Sequence, residues 1–585
     1  MSVLRLPLRD WGRSYSRENL SADLIAALVV TVMLIPQGMA YAMLAGLPPQ
    51  AGLYGSIIPL LIYAALGSSS ALAVGPVAVV ALMTAATAGS IAEIGTPGYQ
   101  LAALWIAMIS GALMLAMGLL RLGFVANFLS HPVISGFITA AGILIAASQI
   151  RHLLGIQTSG KTLPEVIPSI IENIGGIHWP TVLISALVLA FLIWSRKGLA
   201  PALRSLGLAA PTAALLAKGG LFLAVLASTL ATWILGLDAQ GLRIVGDIPR
   251  GLPPLALPAF DMDLITYLLV PSALIALVGY VESISIAQTL AAKRRQRVSP
   301  DRELIALGAA NLGAGLSQAM PVTGGLSRSI VNYDAGARTK LAGAMTALMI
   351  GAALLALTPL LYFLPNATLA AIIIVAVLSL LDFGALPRAW TYSKADGAAM
   401  AATMAFTLVM GVEQGLAAGV GLSIVLHLYR TSRPHVAEVG QVPGTGHFRN
   451  VDRYEVVTAP EVVTLRVDES LYFPNARYLE ELVQQKITEN PALKHLVLMF
   501  SAVNEVDTSA LESLEMIQAK LRDAGVTLHL SEVKGPVMDR LRRSDFLDHL
   551  DGLYLTQLDA MEALAPTLTR DTLARPRHEV RKPGA

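Results

Sequence analysis

The 585-residue chain has no cysteine and only 14% charged residues, against roughly 25% in an ordinary soluble protein. The missing thiols exclude disulfides, thiolate metal sites and a cysteine nucleophile. The scarcity of charge, with 55% hydrophobic residues and a mean hydropathy of +0.62, excludes a soluble domain for most of the chain and points to a polytopic membrane protein. Net charge is only +2, a total that says nothing about nucleic acid or acidic partners, so the placement of charge carries the information, and no nucleic-acid partner is expected. Zinc-ligand spacing, a phosphate-cradling GxxxxGK[ST] motif and a nucleophile–base constellation are also missing. No enzyme, cofactor or metal site is therefore expected. The N-terminal MSVLRLPLRDWGRSYSREN is basic but has no short apolar run before a small-residue cleavage site, so no signal peptide is expected.

Nearly half of the charged residues fall after residue 433, in about a quarter of the length. A membrane domain over residues 23–433 is expected after an N-terminal segment of residues 1–22. A linker, 434–451, a soluble domain, 452–562, and a disordered basic tail, 563–585, would follow. Apolar segments near the roughly 20 residues a spanning helix needs begin near residues 23, 50, 76, 99, 130, 180, 214, 264, 302, 326, 340, 366, 396 and 414. These are fourteen segments, of which those near 76 and 326 are too broken to cross alone. They read as half-helices buried in protein, where irregular backbone is tolerated at membrane depth.

With the N-terminus inside, twenty Lys and Arg fall on one side of the membrane. Only Arg151, Lys161, Arg243 and Arg250 fall on the other, and Arg328 is left within it. The positive-inside rule then assigns both the N-terminus and the soluble domain to the cytoplasm. The segments near 264 and 326 repeat the spacing of those near 23 and 76 about 240 to 250 residues later. Seven spans is an odd number, so the second copy would be inverted, a recurring transporter design with discontinuous helices near the midplane. In the soluble part, EVVTLRV, HLVLMF and VTLHLSEV alternate with helix-like runs around Tyr478 to Ile487, from Ser509 to Asp523, and from Pro536. That order reads as a small α/β domain.

Arg328 stands out because an unpaired charge at membrane depth is costly and is a functional-site hypothesis by default; a snorkelling or structurally paired arginine is the plainer alternative. Gly324 and Gly325 allow a sharp turn with uncovered amides, and Ser327 adds a hydroxyl at the start of a short helix. A helix N-terminus with a guanidinium beside it makes an oxyanion site. Gly75-Pro76 has the signature of a helix start. In an inverted repeat that second N-terminus would face the first, focusing two dipoles on one point.

Glu282 is the lone acid in its span. It is either a permanent partner for an arginine or a titrating group: burial favours its neutral form and a nearby arginine its charged one. Pro36 should loosen the first span, while Gln37 and Tyr41, four residues apart, share one face. That face serves either hydrogen bonding to an oxyanion or packing between helices. His131, Glu303 and Glu413 read as helix-end or packing residues.

The stretch IPQGMAYAMLAGLPPQAGLYGSIIPLLIYAALGSSSALAVGPVAVVALM, with VESISIAQ, DRELIALGAANLGAGL and TGGLSRSIVNYDAGART, resembles the SulP family of sulfate permeases and solute carrier 26 anion transporters. The resemblance covers nearly the whole chain. It implies a polytopic α-helical membrane protein of fourteen transmembrane segments in two inverted repeats of seven, forming core and gate domains. It further implies a cytoplasmic α/β STAS domain, a homodimer and an inner cell-membrane location. On the same likeness Gln37, Tyr41, Pro76, Val77, Ala78, Gly325, Leu326, Ser327 and Arg328 are substrate-binding positions, and Glu282 is the coupling carboxylate.

Gly325 departs from the serine often found in that turn and removes one hydroxyl. AVNEVDTSALESLEMI resembles the STAS motif, in which Thr508 or Ser509 is a possible phosphosite and Asp507 or Thr508 a helix cap. The expected function is proton-coupled sulfate uptake by an elevator-type movement. Bicarbonate or dicarboxylate transport, perhaps sodium-linked, and an uncoupled anion channel or sensor remain alternatives. Ile286, one turn after Glu282, offers sodium no oxygen.

Overall fold

The structure, a computed structural model, describes residues 15–128 and 130–576. The basic N-terminal positions Arg5, Arg9 and Arg13, and the tail from Arg577 onward, lie outside the described residues. The chain divides into two compact units, Met1–Ser423 and Ile424–Ala585.

Each of the fourteen expected starts falls inside a helix or within a few residues of one. Among the described residues seven helices are long and apolar enough to cross a membrane, from Arg17–Leu44 to Val412–Thr431, and four shorter apolar helices accompany them. Pro36 does not break the first: Arg17–Leu44 runs through it. Large apolar side chains such as Leu119, Trp179, Leu187, Ile193 and Trp233 are exposed on these helices. In water such a surface would aggregate; against lipid it is the expected solvent-facing side. Inside, small residues bring backbones together. A Cβ on Gly308 would stand 2.5 Å from the amide nitrogen of Leu115, and one on Gly111 would stand 2.7 Å from that of Leu312. Helices Pro97–Leu119 and Pro300–Leu316 therefore touch along their main chains.

The two broken segments meet. Strand β1, Val74–Gly75, pairs antiparallel with β2, Thr323–Gly324, and Val74 lies opposite Gly324. Half-helix Ala78–Ala88 follows β1 and half-helix Leu326–Asp334 follows β2, so the antiparallel pairing sends them away from each other with their N-termini adjacent. Side chains hold this crossing. Asn311 accepts from the Val322 amide (2.9 Å) and donates to the Val322 carbonyl (2.8 Å). Ser283 accepts from the Gly324 amide at 2.8 Å, and Ser329 from the Ala73 amide at 2.9 Å.

The second unit is built on a six-stranded sheet in the order β4-β3-β5-β6-β7-β8. Its strands are β3 Val436–Gln441, β4 Phe448–Asn450, β5 Val462–Val467, β6 His495–Met499, β7 Thr527–Ser531 and β8 Gly552–Tyr554. Strands β5 to β8 are parallel, as alternation with helices Ala476–Glu489, Thr508–Asp523 and Gly535–Leu541 requires. Leu465, Leu498, Phe500, Leu514 and Leu530 lie in its core. Two expectations need correcting. The stretch 434–451 carries β3 and β4 instead of a linker, because Val439 and Phe448 are buried against Val462 and Met499. The tail assigned to 563–585 begins with helix Pro566–Ala574, whose Thr569 and Thr572 are buried.

Candidate functional site

A cavity of about 40 Å³ lies where the two half-helices begin. At about 10–15 Å³ per water, it has room for a few water-sized groups. Val77 and Ala78 reach it from one half-helix, and Gly325, Leu326, Ser327 and Arg328 from the other. Gln37 and Tyr41 come from Arg17–Leu44, and Glu282 from Met262–Lys293. Nine of the ten membrane positions singled out by sequence thus line one space. The tenth, Pro76, does not line it; its carbonyl accepts from Nη1 of Arg328 at 2.6 Å.

That bond anchors one corner of the guanidinium. Arg328 is 2% exposed, and its Nε and Nη2 have no hydrogen-bond partner among the described residues. Buried donors are paired in nearly all native structures, so two unpaired N–H groups of a cation beside a cavity are donors free for an acceptor that enters it. Neither N-cap residue, Val77 or Gly325, supplies a side-chain cap, which leaves first-turn amides of both half-helices without cap acceptors. The glycine at 325 has a steric reason: a Cβ there would stand 2.7 Å from Nη2 and 2.9 Å from Nε of Arg328. The guanidinium occupies the place a serine side chain would need.

Glu282 does not balance Arg328 as a contact pair. No ion pair joins them among the described residues, and Glu282 Oε2 is itself buried without a partner. The two charges face one cavity, each with unused hydrogen-bonding capacity. Geometry that leaves a cation's donors and a carboxylate's acceptor free around shared space can receive an anion and a proton together.

The other singled-out residues lie elsewhere. Glu303 is fully buried and accepts from the Ser68 amide (2.7 Å), the Ser68 hydroxyl (2.6 Å), the Ser69 amide (3.1 Å) and the Tyr63 hydroxyl (2.8 Å). A carboxylate so satisfied is a structural fastener. Glu413 accepts from the Thr87 hydroxyl, and His131 begins helix His131–Leu154. In the second unit Asp507 caps helix Thr508–Asp523, accepting from the Ala510 amide at 2.8 Å. Thr508 and Ser509 are exposed in its first turn.

The sequence reading missed the cavity's remaining wall, Ala376, Val377, Ser379 and Leu380, at the end of helix Asn366–Leu378. That helix is apolar throughout from Leu369 onward, so nothing in its pattern marks the cavity end as functional. Nor was the adjoining, wider cavity of about 400 Å³ foreseen; it shares Gln37, Ser327 and Ala376 with the small one and is lined by Arg196 and Lys218. Both cations fall on the side to which charge counting assigns the cytoplasm.

Residues 20–403 match the sulfate permease family, and residues 453–560 match the STAS domain. The chloroplastic sulfate transporter 4.1 of Arabidopsis thaliana is 37% identical over 93% of this chain and 79% of its own length. A probable sulfate transporter of Mycobacterium tuberculosis is 34% identical over 94% and 96%. Among solved structures, the murine solute carrier 26 family member A9 anion transporter in its inward-facing state superposes with a TM-score of 0.86 at 23% identity. It covers 96% of this chain and 94% of that one. The transmembrane domain of a cyanobacterium bicarbonate transporter gives 0.59 at 22% identity, over 69% and 98%. At those identities the structural likeness speaks for fold alone.

Proposed function

The chain belongs to the sulfate permease family, and on that premise we propose that it is a secondary active transporter that takes up sulfate with protons by elevator-type alternating access. The observation that carries the reading is the pair of unpartnered donors on Arg328 across a cavity from the unpartnered Glu282 oxygen. Sulfate is favoured because the relatives that span most of the chain are described as sulfate transporters. A tetrahedral oxyanion also presents paired oxygens to a guanidinium and to converging helix N-termini.

Coupling follows from charge. At an effective dielectric of about 20, two unit charges 4 Å apart interact by about 4 kcal/mol. An ionised Glu282 therefore opposes a dianion, and a protonated one does not. Protonation also turns an acceptor-only carboxylate into a donor, so the same proton that removes repulsion adds a hydrogen bond. Arg328 needs no release from Glu282 in this scheme, because Pro76 holds it. The half-helices would carry anion and proton as one body between a face open toward Arg196 and Lys218 and the opposite face. At the STAS domain, a phosphate on Thr508 or Ser509 would meet the first turn of a helix, where added negative charge is stabilised.

Radiolabelled sulfate uptake into proteoliposomes under an imposed pH gradient tests the scheme. Glu282→Gln is expected to retain sulfate exchange while losing acceleration by the gradient. Arg328→Gln is expected to lose both. Uptake by Glu282→Gln that still follows the gradient would mean that protons couple elsewhere.

A further inference from the structure

A second concentration of positive charge lies away from the Arg328 cavity. Helix His131–Leu154 ends with Arg151 and His152 in its last turn, and the loop before residue 244 brings Arg243 to the same small pocket. Thr181 and Ala367 complete it, and no carboxylate lines it. Arg151 Nε donates to His152 Nε2 at 3.2 Å, which leaves the imidazole neutral with its proton on Nδ1. Arg151 and His152 both sit in the field of Arg243. Among the described residues neither arginine takes part in an ion pair, and the chain's charge count leaves only four basic residues on this face of the membrane.

One part of this has a plain cause. Cations in a last helical turn complement the helix dipole, which accounts for Arg151 and His152. It does not account for Arg243, which lies on a loop and adds repulsion. The backbone holds it there: the Arg243 carbonyl accepts from the Asn366 amide at 3.0 Å, and Val245 donates to the Leu364 carbonyl at 2.9 Å. Those bonds also bring the start of helix Asn366–Leu378 to the pocket. Its N-cap, Pro365, supplies no side-chain acceptor, and Ala367 of its first turn is part of the wall.

We propose that Arg151, His152 and Arg243 form a second anion site, separate from the Arg328 cavity, that takes one halide-sized inorganic anion. The size follows from the pocket, about 20 Å³, against about 10–15 Å³ for one water. It fits a sphere little larger than water and not a centre carrying four oxygens. The chemistry follows from two guanidinium groups and an uncapped helix start with no compensating acid; Thr181 only walls the pocket, because His178 Nε2 donates to the Gln240 carbonyl and its Nδ1 therefore accepts from the Thr181 hydroxyl at 2.7 Å. The anion removes the repulsion between Arg151 and Arg243. It also sits at one end of a 13-residue helix whose far end, Ala376 and Val377, lines the central cavity about 15 Å away at 1.5 Å per residue.

The test is thermal unfolding of the purified full chain while chloride replaces gluconate at constant ionic strength, which holds screening fixed. Chloride is expected to raise the midpoint saturably in the unmodified protein and in Arg328→Gln. Half-saturation should move at least fivefold higher in Arg243→Gln and return part of the way in Arg243→Lys. A parallel sulfate titration should protect Arg243→Gln, showing that this variant is folded, but not Arg328→Gln. Three results overturn the proposal: no chloride protection in the unmodified protein, equal protection in Arg243→Gln, or loss of chloride protection in Arg328→Gln. Sulfate protection that depends on Arg243 overturns the halide-sized assignment.

Discussion

The guanidinium of Arg328 lies where a side chain at residue 325 would have to go, and this makes Gly325 part of the proposed anion site without supplying an atom to it. The φ of Gly325 is −95°, a value that alanine adopts freely, so Gly325→Ala strains no backbone. The three atoms nearest its Cβ all belong to the arginine, with Nη2 at 2.7 Å. The expected outcome is a guanidinium pushed off its bond to Pro76 and sulfate affinity weakened about tenfold, equivalent to about 1.4 kcal/mol, with thermal stability unchanged. A double-mutant cycle checks the cause: in an Arg328→Gln background the alanine should cost nothing further. An equal loss in both backgrounds would assign Gly325 a role of its own. The sequence could mark Gly325 as a departure from a serine-bearing turn, but not the reason, because the competition for space lies between residues whose side-chain directions only the fold defines.

At the scale of elements, the proposed anion site depends on two strands of two residues each. Such strands have no periodicity to read, since alternation needs several residues, and β1 and β2 were not legible in advance. Their consequence was: Gly75-Pro76 and Gly324-Gly325 mark helix starts, and inverted spacing implies that those starts face each other. The sheet of the second unit was half legible for a related reason. Strands β5, β6 and β7 are dense in Val and Leu, whereas β3 is interrupted by Glu438 and Gly440 and β4 is three residues with Arg449 at its middle.

What fastens β2 is Asn311, whose side chain replaces a missing ladder partner for both polar groups of Val322. Asn311→Ala would leave a buried N–H and a buried carbonyl unpaired, at about 1–3 kcal/mol for each unsatisfied group. A lowered unfolding midpoint is expected, together with weaker protection by sulfate, because β2 leads directly into the half-helix that carries Arg328. A midpoint within error of the unmodified protein would mean that β1, Ser283 and Ser329 hold the crossing without Asn311.

For the whole molecule, the absence that excluded disulfides becomes an experimental advantage: any introduced cysteine is the only one. Orientation rests on twenty basic residues against four, an asymmetry that backbone geometry cannot replace because both faces of a helical bundle look alike. One helix makes the test unambiguous. Met262–Lys293 has 32 residues, about 48 Å at 1.5 Å per residue, against a hydrocarbon core of about 30 Å. Arg250 precedes it and Arg297 follows it, and both are exposed, so they must emerge on opposite sides. In intact cells a membrane-impermeant maleimide is expected to label Arg250→Cys at once and Arg297→Cys only after permeabilisation. The reverse pattern would invert the protein, moving Arg196 and Lys218 to the external mouth and the Arg151 and Arg243 pocket to the cytoplasm. Labelling of both without permeabilisation would mean that Met262–Lys293 does not cross at all, and the inverted-repeat reading of the half-helices would fall with it.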